Sequence, residues 1–141
     1  MRVYFNTSAL NRPLDDLSSE RVRMEAEAVV ALLAAVEDGT IEVEQDPDAA
    51  RVRRVRGLLV GAHMRVPASD AVADRARALE RLGLRGLDAL HVACAEAGGA
   101  DLLITTDDRM IRRAARTVRD LRVRLVTPPE ALLLLPRRPN R

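Results

Sequence analysis

Three side chains in this 141-residue chain stand where a polar group can act on a ligand: Asn6, Asp88 and Asp107. Asn6 directly follows a run of strand formers at residues 2–5, and Asp107 follows an apolar strand at 102–105. Asp88 falls in the first turn of a helix, where the positive end of the helix dipole favours a carboxylate. In open parallel sheets, ligands bind in the crevice beyond the carboxyl ends of the strands, and all three residues are expected to converge there. Carboxylates gathered in this way repel: two at about 4 Å and an effective dielectric of about 20 cost roughly 4 kcal/mol. Such a cluster is expected to hold a cation.

Each member has an ordinary alternative. Asp88 alone is a helix-start charge, Asp107 or Asp108 a helix cap, and Asn6 a turn residue. Their coincidence at one sheet edge favours function over three unrelated roles.

Alternating strands and helices must position these residues. The strand at 2–5 is closed by Asn6-Thr7-Ser8, and a loop through Asn11-Arg12-Pro13 follows. Ser18 and Ser19 are N-cap candidates for a helix in which Val22, Ala26, Val29, Val30, Leu33 and Val36 recur at helical spacing, with Gly39 as its stop. Residues 41–44 read equally as a very short strand or as the start of the next helix. Asp46-Pro47-Asp48 opens a helix to about residue 63, and a brief strand is possible at 64–66. Ser69 caps a helix with Val72, Ala76, Leu79 and Leu82 on its apolar side, ending near Gly83. Residues 87–97 form a helix with Leu87, Leu90, His91 and Cys94 on one face and Gly98-Gly99 as terminator. Strands at 101–105 and 122–126 and helices at 108–117 and 128–135 complete the chain. The alternation implies a single α/β domain over residues 1–136, a central mostly parallel sheet flanked by helices, and a frayed tail at 137–141.

The composition narrows the function. Apolar residues make up 48% and charged residues 31%, which is globular, and 23 basic against 21 acidic residues exclude a polybasic tail as the main means of binding nucleic acid. Every basic residue is arginine, a bias that fits a GC-rich genome. The only aromatics are Tyr4 and Phe5, so the base-stacking platforms of OB or RRM modules are missing and any RNA contact must run through phosphate, sugar or a metal. One cysteine, Cys94, excludes an internal disulfide and a Cys-rich zinc site. The longest apolar run, residues 28–36, is far short of the roughly 20 a membrane span needs. With no signal sequence at the start, a cytoplasmic domain is expected.

Tyr4-Phe5-Asn6-Thr7-Ser8, Gly86-Leu87-Asp88-Ala89-Leu90-His91 and Ile104-Thr105-Thr106-Asp107 resemble, in order and spacing, the motifs of the PIN-domain family. The resemblance spans essentially the whole chain. It implies a PIN fold and a magnesium- or manganese-dependent ribonuclease, many bacterial members being VapC-type toxins held by an antitoxin. It places the first acidic position on Asn6, with Ser8 or Thr7 as the accompanying hydroxyl, the third on Asp88, and the fourth on Asp107, introduced by Thr105. The second maps onto Glu42, with Glu44 as the neighbouring candidate. Magnesium prefers oxygen ligands, keeps several waters and takes one or two carboxylates; it lowers the pKa of a bound water and neutralises charge on phosphorus.

Two departures from the family pattern stand out. Asn6 is neutral where the family has aspartate, which removes one charge of attraction to the metal and predicts weaker binding and slower cleavage. The segment at 41–45 is short for the family's second strand, and if 41–44 is that strand, Glu42 is displaced. Both motivate an alternative: a degenerate PIN module that binds RNA or a protein partner without cutting. A homodimer is a further expectation from the family.

Among the remaining polar residues, His91 is expected to be a packed histidine, since a lone histidine makes no metal site. His63 has no partner at useful spacing, and Cys94 reads as a core residue. Arg109, Arg112, Arg113 and Arg116 share one face of a helix opposite Ile111, Ala114, Ala115 and Val118. The default is a solvated face. Its start beside Asp107 makes RNA-phosphate contact the functional alternative. A second cluster, Arg51, Arg53, Arg54 and Arg56, has no assigned role.

Overall fold

The computed structural model describes residues 1–43 and 70–136. The expected helix after Asp46, the strand at 64–66, the Ser69 cap, Glu44, His63, the Arg51–Arg56 cluster and the 137–141 tail all lie outside the described residues.

Four short strands, β1 (Arg2–Phe5), β2 (Glu42–Val43), β3 (Leu102–Ile104) and β4 (Arg124–Val126), form one sheet in the order β2-β1-β3-β4. Every pairing is parallel. The two central strands, β1 and β3, are buried on both faces and read as continuous apolar runs, whereas the edge strand β2 exposes Glu42. The ambiguous stretch after residue 40 is a strand by its pairing, Arg2 with Glu42 and Val3 with Val43.

The helices are α1 (Thr7–Asn11), α2 (Glu20–Glu37), α3 (Asp70–Leu82), α4 (Gly86–Ala97), α5 (Asp108–Thr117) and α6 (Pro128–Leu133). Side-chain alternation along the strands divides the core in two. Val3, Phe5, Leu102, Ile104 and Val126 face a cluster with residues of α1, α2 and α6. Tyr4, Leu103 and Leu125 face a second cluster with residues of α3, α4 and α5. A buried Glu96 carboxylate ties this second layer together, taking Arg75 of α3 through Nε at 2.9 Å and Nη2 at 3.2 Å.

Several helical details differ from the expectations. The segment after Asn6 is a helix, not a loop: the Asn6 side chain caps α1, Ala9 and Leu10 anchor it in the core, and Arg12–Leu14 adds a 3₁₀ turn that tolerates Pro13. On α2, Val30 is exposed, while Leu32 and Ala28 are buried with Val29 and Leu33. Ser19 caps that helix and Gly39, at φ +81°, ends it. Leu87 is exposed on the first turn of α4, and Ala115 is exposed on α5, where Met110 and Ala114 make the buried contact instead.

Candidate functional site

The strand order creates a crevice between β1 and β3. The chain leaves β1 towards β2 on one side and leaves β3 towards β4 on the other, which is the topological switch point where parallel sheets bind ligands. Residues just beyond these two strands are stitched together there. The Asn6 N–H donates to Ile104 O at 2.9 Å. The Ser8 hydroxyl pairs with the Thr105 hydroxyl at 3.3 Å and accepts from the Thr106 N–H at the same distance. Thr105 Oγ1 in turn accepts from the Asp107 N–H at 3.1 Å. Ser8 and Thr105 are thus the brace between the two strand ends.

Asn6 is buried, and both ends of its amide are engaged. Its Oδ1 accepts from the Ser8 N–H at 3.1 Å, and its Nδ2 donates a long, weak contact to Met110 Sδ at 3.7 Å. Asp107 caps α5, its Oδ1 accepting from the Arg109 and Met110 N–H groups at 3.0 and 3.1 Å. That leaves Oδ2 without a partner in α5.

Asp88, in the first turn of α4, is half-buried. Burial pushes its carboxyl above the ordinary 3.8, and the negative charge of Asp107 pushes it further; Arg113 and Arg85 pull the other way. Asp88 therefore senses the charge of Asp107, 19 positions away in sequence. Among the described residues, no group of three or more His, Cys, Asp or Glu side chains gathers to hold a metal ion. Two carboxylates still suit magnesium, which takes few protein carboxylates and completes its shell with water. His91 faces inward from the same helix. Its Nδ1 pairs with the Tyr4 hydroxyl at 3.1 Å, and burial pulls its pKa below the ordinary 6.5.

The PIN-domain family model matches residues 5–116, from the end of β1 to the last turn of α5. The chain belongs to the PIN-domain family. No curated protein and no solved structure matches it. PIN domains are generally nucleases and typically use divalent metals, and the fold is the one this family implies: a single α/β domain with a parallel sheet between helices. Among the described residues no helix is long and apolar enough to cross a membrane.

Within this PIN domain the structure brings Asn6, Ser8, Asp88, Thr105 and Asp107 to one sheet edge. It does not bring Glu42 there. The register pairs Glu42 with Arg2, at the start of β1, whereas Asn6 lies beyond its end. Four residues of strand, about 13 Å at 3.3 Å per residue, separate the two levels. Glu42 is exposed and forms a 3.7 Å ion pair with Arg2.

The arginines of α5 separate into two sets. Arg113 is half-buried and acts on Asp88. Arg109 and Arg112 line an open groove of about 480 Å³ with Asp107, Asp108, Arg12 and Arg21. Arg116 is exposed and outside that groove. Arg12 and Arg21 had no signal in the sequence: one reads as a loop residue and the other as a solvated helix position. Only the return of α2 alongside the 3₁₀ turn brings them near Asp107.

Proposed function

We propose that this PIN domain is a divalent-metal-dependent endoribonuclease and the toxin component of a toxin–antitoxin pair, acting on RNA and held by a protein antitoxin. The observation that carries the nuclease reading is the pair Asp88 and Asp107: a half-buried carboxyl whose pKa is raised partly by the other's charge. Repulsion of this kind has no structural benefit, and a cation removes it. The toxin setting rests on membership of the PIN-domain family, many of whose bacterial members are VapC-type toxins.

Asp88 and Asp107 would hold magnesium or manganese, with Asn6 Oδ1 as a neutral third donor. The bound cation supplies charge neutralisation at the phosphate and a more acidic water. The chain's own residues do the positioning. Ser8 and Thr105 fix the two strand ends relative to one another, and the α5 N–H groups hold Asp107 by one oxygen, leaving the other outside that cap. Arg113 offsets part of the negative charge at Asp88.

A second reading, a PIN module that binds RNA or a partner without cutting, is favoured by one observation. The amide of Asn6 is already committed to the α1 cap and to Met110. The two readings part on a cleavage assay with end-labelled RNA, with and without Mg²⁺ or Mn²⁺, beside Asn6→Asp and Asp88→Ala. Metal-dependent cutting by the protein, lost in Asp88→Ala, is the expected result. Cutting only by Asn6→Asp identifies an intact scaffold with a disabled ligand. Cutting by neither across a broad RNA panel removes the nuclease reading.

A further inference from the structure

We propose that the groove formed by Arg12, Arg21, Arg109 and Arg112 is a subsite for the backbone phosphates of single-stranded RNA, with Asp108 as a counter-charge that limits its affinity. The inference rests on the nucleic-acid part of the reading above and not on cleavage.

Four arginines from two distant parts of the chain line one open groove together with Asp107 and Asp108. Arg109 and Arg112 stand three positions apart on α5, so they share a face. Both are exposed, and among the described residues neither has a carboxylate within ion-pair distance. Like charges so placed destabilise a helix slightly, and an anion between them relieves that cost. Guanidinium is also the group best matched to phosphate, which it can grip through two parallel N–H donors.

Arg12 and Arg21 are held from behind. The Glu25 side chain is buried, and its Oε1 accepts from Arg12 Nη2 at 3.1 Å and from Arg21 Nε at 3.3 Å. Removing a carboxylate from water is costly, and Glu25 Oε2 has no partner among the described residues. One buried acid fixing two groove-lining arginines gives that cost a use, although Arg12 Nη1 also pairs with Asp15 at 3.0 Å, which spends part of its charge inside the protein. Arg21 Nη2 also bonds Asp108, on the groove wall, so part of its charge is spent inside the protein.

The composition points the same way. Tyr4 and Phe5, the only Phe, Tyr or Trp residues in the chain, are both buried, so neither ring is available to stack a base. Recognition at this surface must therefore run through the backbone, where affinity follows charge and falls steeply with salt.

Binding is measured by fluorescence anisotropy of a short labelled oligouridine in EDTA, where no metal-dependent cutting occurs, over a series of salt concentrations. Each arginine that meets a phosphate contributes about 0.7 to the slope of log K against log salt for a single strand. Arg109→Gln with Arg112→Gln is expected to lower that slope by about 1.4 and to weaken binding at every salt. Arg77→Gln, an exposed arginine of α3 away from the groove, is expected to leave the slope unchanged. Asp108→Asn is expected to tighten binding, and adding Arg21→Gln to it to reverse the gain. Arg12 is left intact because its loss would strand Glu25. The proposal is overturned if the double variant keeps the parent slope, if Arg77→Gln lowers it equally, or if the parent binds no oligouridine. Groove-dependent binding without cleavage of any RNA leaves the subsite standing and removes the nuclease reading. Cleavage that ignores the groove variants does the reverse.

Discussion

Asp88 carries an electrostatic burden that can be measured without any substrate. Its folded carboxyl titrates above the ordinary 3.8, first because it is half out of water and then because Asp107 is near. The folded protein thus holds a proton at Asp88 that the unfolded chain has already lost, so stability falls as pH rises through the range between the two values and stays reduced above it. Asp88→Asn removes that loss. In metal-free buffer at neutral pH the variant should melt above the parent, and the gap should close as pH drops below about 4. Added Mg²⁺ should raise the parent's melting temperature and leave the variant where it is, since only a ligand bound to the folded state stabilises it. A variant that melts below the parent at neutral pH, or that responds equally to Mg²⁺, would remove Asp88 from the proposed metal centre.

At the scale of elements, Asp107 has two roles that one substitution can separate. Its Oδ1 caps α5, and its charge faces Asp88. Asparagine caps a helix about as well as aspartate, whereas alanine does not, at a cost of about 1 kcal/mol. Asp107→Asn should therefore keep the parent's denaturant midpoint or exceed it, while Asp107→Ala should lose about 1 kcal/mol; both should lose metal-dependent cleavage. Equal stability losses in the two variants would mean that capping is not what Asp107 does for α5. The helix itself was legible because Asp107 precedes a clean amphipathic run, and Asp88 because it opens another. Asn6-Thr7-Ser8 misled: the triplet reads as a turn, yet the Asn6 side chain caps a helix whose Ala9 and Leu10 are buried by contacts remote in sequence. The alternation of Ile41, Glu42 and Val43 left strand and helix start equally open and gave no register, and the register is what puts Glu42 at the far end of the sheet.

For the whole molecule, the layered α/β plan, with helices on both sides of a parallel sheet, followed from the order of strand and helix patterns, whereas the strand order and register depend on pairings no local pattern encodes. The same is true of the groove, which exists only because α2 returns past the 3₁₀ turn to α5. Long-range packing also decides the behaviour of His91. It is buried on α4 against Tyr4 of the central strand, where the phenol O–H can donate to its neutral Nδ1. Burial lowers its pKa below the ordinary 6.5, so the unfolded chain takes up a proton near that pH before the folded protein does. The stability tied to neutral His91 is fully present above about 6.5 and is lost as pH falls towards the folded value. Because Tyr4 and the helices over it belong to one core cluster, the loss should appear in global unfolding. Urea titrations should show the midpoint dropping from about pH 7.5 to about pH 5.5, with a smaller drop in His91→Gln, which is less stable at both values. Tyr4→Phe should keep most of the parent's pH dependence, since burial rather than the phenol is the cause. Equal drops in the parent and His91→Gln would assign the titration to other groups, and a flat profile in Tyr4→Phe would transfer it from burial to the hydrogen bond.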